Sequence, residues 1–122
     1  MKKLIWLIVL IPILVAACSS NFIILDEGKV LPEDICNKID YDALVIHETG
    51  CPWCTKAIPM LEEIEKESNL KFRYLDIANK DDLNYMLSLG FTTQKIPALL
   101  YNCKVYMGAK SKEEYFEILK NG

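Results

Sequence analysis

The chain has 122 residues, of which 52% are hydrophobic, so it can bury one modest core and gives no reason to expect a second large domain. Two of its 14 basic residues lie in an apolar leader; the rest of the chain carries 12 basic and 17 acidic residues, a formal charge of −5. With this acidic balance, Arg73 as the single arginine and no cluster of basic side chains, the composition excludes a nucleic-acid-binding protein.

The first 18 residues have the pattern of an export signal. Two lysines precede an apolar stretch of 14 residues that ends at Ala17, whereas a membrane-spanning helix needs about 20. The sequence Val15-Ala16-Ala17-Cys18 resembles the lipobox of prokaryotic lipoproteins. This resemblance implies that residues 1–17 are a cleaved signal peptide and that Cys18 carries lipid. An uncleaved signal anchor with an incidental Cys18 is the alternative, and both interpretations place the folded domain outside the cytoplasm.

Residues 18–41 are predicted to form a lipid-attached tether and an N-terminal extension, in front of a domain that spans residues 42–122. Within the extension, residues 22–25 favour a short strand, residues 26–28 a turn, and residues 32–39 a short helix.

A buried strand followed by a helix begins the domain. The apolar run Ala43–His47 predicts the strand, and residues 48–50 supply a turn. Pro52 suits the first helical position, where its missing N–H is no loss, and apolar side chains then recur at helical spacing down to Ser68. Cys51 is therefore predicted to lie at the N-terminus of a helix.

The four residues Cys51-Pro52-Trp53-Cys54 contain two thiols that can close into a disulfide and reopen. Unpaired backbone N–H groups and the helix dipole favour the thiolate form of Cys51, which makes it the predicted nucleophile. Cys54 lies about one helical turn further on and on the same face, so it is the predicted resolving thiol.

The second half of the domain continues the alternation of strands and helices. The predicted elements are a strand at 70–77, a helix at 79–89, strands at 97–101 and 104–107 joined by a turn at 102–103, and a helix at 111–119. Ser111 and Glu114 fit a capping box at the start of that last helix. The order β-α-β-α-β-β-α predicts an α/β fold, with a central mixed four-stranded sheet flanked by helices and its first two strands parallel.

From residue 42 to residue 119, the chain resembles the thioredoxin superfamily. Besides the dithiol, Pro59 stands eight residues after Cys51, the offset of the proline that bends the active-site helix in thioredoxins. The segment Ile96-Pro97-Ala98-Leu99-Leu100 is similar to the family's cis-proline segment. The resemblance implies a thioredoxin-like fold, a cis bond before Pro97, and pairing of the Ile96 backbone with a substrate strand.

Several positions depart from the thioredoxin pattern. Val45 and Gly50 stand where thioredoxins have a buried acid and a tryptophan. Without the acid, the proton of the resolving thiol would pass to water, to another group such as Glu48 or His47, or to no specific group.

The dipeptide between the cysteines, Pro52-Trp53, is closer to that of glutaredoxins. The segment after Met107 nevertheless lacks the Gly-Gly and acidic pair of that family, and glutathione specificity is not expected. Trp53 is predicted either to offer an apolar contact to substrates or to pack over the start of the helix.

Cys36 and Cys103 are the remaining pair of thiols, in a chain predicted to be exported to a compartment where thiols commonly oxidise. Both are predicted to lie at the end of the domain opposite the dithiol. We predict a structural disulfide between them.

These features predict a membrane-tethered, extracytoplasmic thiol-disulfide oxidoreductase that acts on protein disulfides. Its catalytic residues would be Cys51 and Cys54, and Trp53, Ile96 and Pro97 would contact the substrate. The expected partners are protein thiols or disulfides, a redox partner, and a membrane through the lipid on the leader cysteine. No metal or cofactor is expected, and the direction of electron flow stays open.

The alternative is a metal-handling or partner-binding domain that uses Cys51 and Cys54 as ligands for zinc or copper(I). A Cys-x-x-Cys pair is half of a zinc site, and a four-ligand site would have to bring in His47, Cys36 or Cys103.

Overall fold

The computed structural model describes residues 22–121. The predicted signal peptide, residues 1–17, and the predicted lipidation site, Cys18, lie outside these described residues. Within them, the strands are β1 (Ile23–Leu25), β2 (Ala43–His47), β3 (Phe72–Asp76), β4 (Phe91–Thr93), β5 (Ala98–Tyr101) and β6 (Lys104–Met107). The helices are α1 (Glu33–Cys36), α2 (Pro52–Ser68), α3 (Lys80–Ser88) and α4 (Lys112–Asn121).

Four of the strands form a mixed sheet in the order β3-β2-β5-β6. Strands β2 and β3 are parallel, with Val45 opposite Tyr74, whereas β5 is antiparallel to both of its neighbours. This is the α/β fold predicted from the order of the elements, with the thioredoxin-like arrangement that the family resemblance implies, and the parallel pairing of the first two domain strands is confirmed.

The central strand β2 is buried on both faces because helices and the N-terminal segment cover the sheet on either side. Its side chains alternate between two core layers. Ala43 and Val45 pack with residues of α2 and α4, including the fully buried Tyr115. Leu44 and Ile46 pack on the opposite face, in the layer that contains α3.

The boundaries of the helices follow local hydrogen bonding. Asn79 caps α3, since its side-chain oxygen accepts the Asp82 N–H at 3.0 Å. The predicted capping box at α4 is confirmed: Ser111 Oγ accepts the Glu114 N–H at 3.2 Å, and Glu114 Oε1 accepts the Ser111 N–H at 3.3 Å. Helix α2 runs through Pro59, as a single element.

Residues 22–39, which we call the N-terminal strap, pack against the sheet as part of the same folded body. Three apolar side chains of the strap, Leu25, Leu31 and Ile35, are at most 5% exposed. They join the core layer that contains Leu44 and Ile46. Burial of side chains of this size contributes about 1.5–3 kcal/mol each.

The strap also covers the outer edge of β6. Gly28 N–H donates to the Val105 carbonyl at 2.9 Å, Val105 N–H donates to the Lys29 carbonyl at 2.9 Å, and Leu31 N–H donates to the Cys103 carbonyl at 2.7 Å. Upstream of this contact, β1 pairs in parallel with β4 to form a separate two-stranded sheet. The strand predicted at 22–25 is present as β1, whereas the sequence did not predict β4, and α1 ends earlier than the helix predicted at 32–39.

A disulfide between Cys36 and Cys103 fastens the strap to the β5–β6 hairpin. The two Cα atoms are 5.5 Å apart, across a sequence separation of 67. Asn102 and Cys103 form the hairpin turn with φ values of 53° and 65°, the left-handed conformation that a two-residue turn of type I′ requires. The hairpin tip adjoins Tyr101, which pairs with Ala43 at the start of β2, so the disulfide and the dithiol lie at opposite ends of the sheet.

Candidate active site

The dithiol lies where β2 passes into α2. Cys51 is the N-cap residue of α2, in an extended conformation, and its Sγ accepts the Cys54 N–H at 3.2 Å. A sulfur at this position satisfies one of the free N–H groups of the first helical turn. Cys51 is partly exposed, whereas Cys54 is only 2% exposed, and neither thiol is bonded in the structure.

The environment of Cys54 keeps its thiol protonated. The pKa of Cys54 is raised to about 12, chiefly by burial; a hydrogen bond with Cys51 and the negative charges of Cys51 and Glu48 contribute to this increase. A hydrogen bond with the backbone of Glu48 opposes the increase. The two thiols are therefore unequal: one can be reached from solvent, and the other lies beneath it and holds its proton at neutral pH.

Beside the dithiol, the Ile96–Pro97 peptide bond is cis, the isomer that the family resemblance implies. Pro97 is buried, and its carbonyl accepts the Gly108 N–H at 2.8 Å. The next residue, Ala98, pairs with Ile46 near the end of β2, which brings the cis bond to the same edge as Cys51. The backbone N–H and carbonyl of Ile96 make no hydrogen bond within residues 22–121.

A groove of about 710 Å³ passes over Cys51 and this cis bond. Its walls are formed by Glu27, Cys51, Pro52, Trp53, Gln94, Lys95, Ile96, Met107 and Gly108. The Trp53 side chain is 61% exposed, and Lys56 Nζ lies 5.1 Å from its ring centroid. Trp53 thus forms part of the groove wall and is largely exposed to solvent; its contact with a substrate stays a prediction.

The turn between β2 and Cys51 is held by Asp76, a residue to which sequence analysis gave no role. The Asp76 carboxylate accepts the Thr49 N–H at 3.1 Å, the Thr49 hydroxyl, and the Ala78 N–H at 2.9 Å. The Thr49 hydroxyl, with smaller effects from the two N–H groups and the charge of His47, holds the pKa of Asp76 below its usual range. The sequence could have indicated this role of Asp76. Asp76 is the last residue of the strand that runs parallel to β2, so it lies beside the residues that follow β2.

The core behind the dithiol is apolar. Val45, which stands where thioredoxins have a buried acid, is fully buried between α2 and α4, and no charged side chain is buried within residues 22–121. The nearest carboxylate to act on Cys54 is that of Glu48, which is exposed.

In the described part of the chain, no group of three or more His, Cys, Asp or Glu side chains converges closely enough to hold a metal ion. A second cavity, of about 470 Å³, lies at the opposite end of the sheet, beside Cys36 and Cys103. Among the helices within residues 22–121, none has the length and apolarity needed to cross a bilayer.

The β3-β2-β5-β6 sheet, the dithiol at the start of α2 and the cis bond before Pro97 define a thioredoxin-like domain with a dithiol site. No protein-family model matches the sequence. Among solved structures, the fold is similar to that of the glutaredoxin from Archaeoglobus fulgidus, with a TM-score of 0.48 and 17% sequence identity over 75% of this chain and 98% of that chain.

Proposed function

We propose that this protein is a thiol-disulfide oxidoreductase, with Cys51 as nucleophile and Cys54 as resolving thiol. The observation that carries this proposal is the inequality of the two sulfurs: Cys51 is partly exposed and accepts an N–H at the start of α2, whereas Cys54 is buried and protonated. A thiolate is the form that attacks disulfides, and a helix N-terminus favours negative charge.

The reducing direction proceeds in two exchanges. The Cys51 thiolate attacks one sulfur of the substrate disulfide; a mixed disulfide forms, and the other substrate sulfur leaves as a thiolate that takes up a proton. Cys54 then loses its proton and attacks Cys51 Sγ. This step forms the Cys51–Cys54 disulfide and releases the second substrate thiol. The same steps in reverse oxidise a substrate dithiol.

The groove favours an extended polypeptide as substrate. The N–H and carbonyl of Ile96 lie beside the dithiol and make no hydrogen bond in the described part of the chain, which is what an added β-strand requires. The exposed ring of Trp53 offers an apolar contact on the other side of Cys51. We therefore assign Trp53, Ile96 and Pro97 to substrate binding, and protein thiols and disulfides to the substrate class.

We also propose that the domain works outside the cytoplasm, tethered to a membrane by lipid on Cys18, and exchanges electrons with a separate redox partner. The support is the leader sequence, in which Val15-Ala16-Ala17-Cys18 resembles a lipobox. Metabolic labelling with a radioactive fatty acid tests this assignment. The wild-type chain should be labelled and the Cys18→Ala variant should not; an unlabelled wild-type chain would reject lipidation.

Trapping of the mixed disulfide tests the catalytic roles. With Cys54→Ser, the second exchange cannot occur, so adducts with client proteins should accumulate that disappear on treatment with a reductant. The matched control is Cys51→Ser, in which the remaining thiol is buried and should trap nothing. Equal trapping by both variants would contradict the assigned roles. An absence of adducts, together with stoichiometric metal in the wild type, would favour the metal-handling alternative.

A further inference from the structure

The strap contributes one side chain to the groove. Glu27 lies in the turn that connects β1 to the part of the strap paired with β6, and its carboxylate accepts the Met107 N–H. Along the rest of β6, the outward-facing backbone groups bond to the backbone of the strap. At Met107 the strap has already turned away towards β1, so the Glu27 side chain accepts the Met107 N–H in place of the strap backbone.

This hydrogen bond fixes a negative charge at the rim of the groove. Glu27 is exposed, and only Oε2 is bound to Met107. Lys95 lies in the same groove, but neither it nor Glu27 forms an ion pair within residues 22–121. Each of the two charges can therefore interact with a charged side chain of the substrate.

The two charges differ in how firmly they are held. The Glu27 carboxylate is bound to a β-strand backbone, whereas Lys95 is an exposed side chain without a hydrogen bond from its ammonium group within residues 22–121. A group that is already ordered loses less entropy when a charged substrate binds, so Glu27 has the larger effect on selectivity.

We propose that Glu27 is a specificity-determining residue that favours polypeptide substrates with a basic side chain next to the reacting cysteine and disfavours those with an acidic one. This inference rests on the proposed function, because it concerns the substrates of the same dithiol. The expected effect is that of one exposed charge pair, which corresponds to a preference in kcat/KM of about threefold.

The test compares two peptide disulfides of the same sequence that differ only in the residues flanking their cysteines, Lys in one and Glu in the other. The full chain should process the Lys peptide with a kcat/KM about threefold higher. Glu27→Gln keeps an oxygen for the Met107 N–H but removes the charge, and should bring the ratio close to one. Lys95→Gln should raise the ratio of kcat/KM for the Lys peptide to kcat/KM for the Glu peptide, because it removes the positive charge from the groove. Glu33→Gln, in the strap but outside the groove, is the matched control and should leave it unchanged.

Screening of the Glu27 charge by salt provides a second readout. In 1 M NaCl, where the Debye length is about 3 Å, the wild-type preference should collapse while Glu27→Gln changes little. Turnover of both peptides with the same ratio in wild type and Glu27→Gln would overturn the role of Glu27 and leave the proposed function standing. If the wild-type chain processed neither peptide, the proposed function would fall, and this inference with it.

Discussion

At the residue scale, the step that most needs explanation is the loss of the Cys54 proton. Burial and the neighbouring negative charges raise the pKa of Cys54 to about 12, so spontaneous ionisation at neutral pH is rare. With Val45 at the position of the thioredoxin acid, the core behind the dithiol has no buried carboxylate within residues 22–121. The proton must therefore leave towards the rim of the site, where Glu48 stands close enough for its charge to act on Cys54.

If Glu48 takes the Cys54 proton, Glu48→Gln should slow resolution of the mixed disulfide by about tenfold or more, because the amide cannot accept that proton. Rapid-quench measurements that separate formation of the mixed disulfide from its resolution check this prediction. His47→Gln tests the other candidate acceptor and should resolve at the wild-type rate, because Glu48 and not His47 acts on the pKa of Cys54. Faster resolution in Glu48→Gln would mean that Glu48 acts only as a charge that raises the pKa of Cys54.

The interaction between Asp76 and Thr49 gives the second prediction at this scale. Because the folded-state pKa of Asp76 is below its ordinary value of 3.8, its contribution to stability is fully present above that pH and is lost as the pH falls through the lower, folded-state value. Asp76→Asn should lower the free energy of unfolding by about 0.5 kcal/mol near neutral pH, since solvent screens the exposed carboxylate, and by less in acid.

Urea denaturation of wild type and Asp76→Asn between pH 2 and pH 7 measures this difference. The two curves should converge at the acid end. Asp40→Asn, an exposed aspartate without hydrogen bonds to other described residues, should run parallel to the wild type throughout. A difference between wild type and Asp76→Asn that stays constant with pH would contradict the assignment.

At the element scale, the strap and the β5–β6 hairpin stabilise each other. An exposed edge strand tends to pair with other chains, and the strap covers that edge of β6 with backbone hydrogen bonds. The disulfide then joins the end of α1 to the hairpin turn, so that the strap stays tethered beside β6 even when its hydrogen bonds open. The position of Glu27 in the groove depends on both features.

The double variant Cys36→Ser/Cys103→Ser should therefore unfold about 4 kcal/mol more easily than the oxidised wild type, as expected for a crosslink across a sequence separation of 67. Urea denaturation of both proteins under non-reducing conditions measures the difference. Cys51→Ser/Cys54→Ser removes the same number of cysteines without touching the crosslink and is the matched control. Equal midpoints for the Cys36→Ser/Cys103→Ser variant and the wild type would mean that the strap holds without its disulfide.

Elements whose signals are local were predictable from the sequence, and so was the Cys36–Cys103 disulfide, whereas the other contacts between distant residues named here were not. The β2-turn-α2 unit and the capping box at Ser111 are set by neighbouring residues, and both are present. Strand β4 has three residues and pairs only with β1, which is 68 positions away, so no periodicity indicates it. The contacts of Asp76 with Thr49 and of Glu27 with Met107 likewise join residues 27 and 80 positions apart.

At the scale of the whole molecule, the two cysteine pairs occupy opposite ends of the sheet. Cys51 follows the end of β2, and Cys103 lies beyond Tyr101, which pairs with the start of β2. The described chain also begins at the end away from the groove, because β1 is parallel to β4 and β4 leads towards the cis bond at Pro97. A lipid on Cys18 would thus attach the domain by the end that is remote from the dithiol.

This geometry predicts that anchoring leaves the groove open to solvent. Protein anchored on vesicles through lipid and an unlipidated Cys18→Ala chain should process a soluble peptide disulfide with values of kcat/KM that agree within about twofold, because under the proposed tethering the groove would face away from the bilayer. Assays at matched enzyme concentrations, with the accessible fraction measured by alkylation of Cys51, provide the comparison. A loss of more than about tenfold on anchoring would place the groove against the membrane. In that case substrates would have to reach Cys51 along the bilayer surface, and the free edge at Ile96 would face lipid instead of soluble clients.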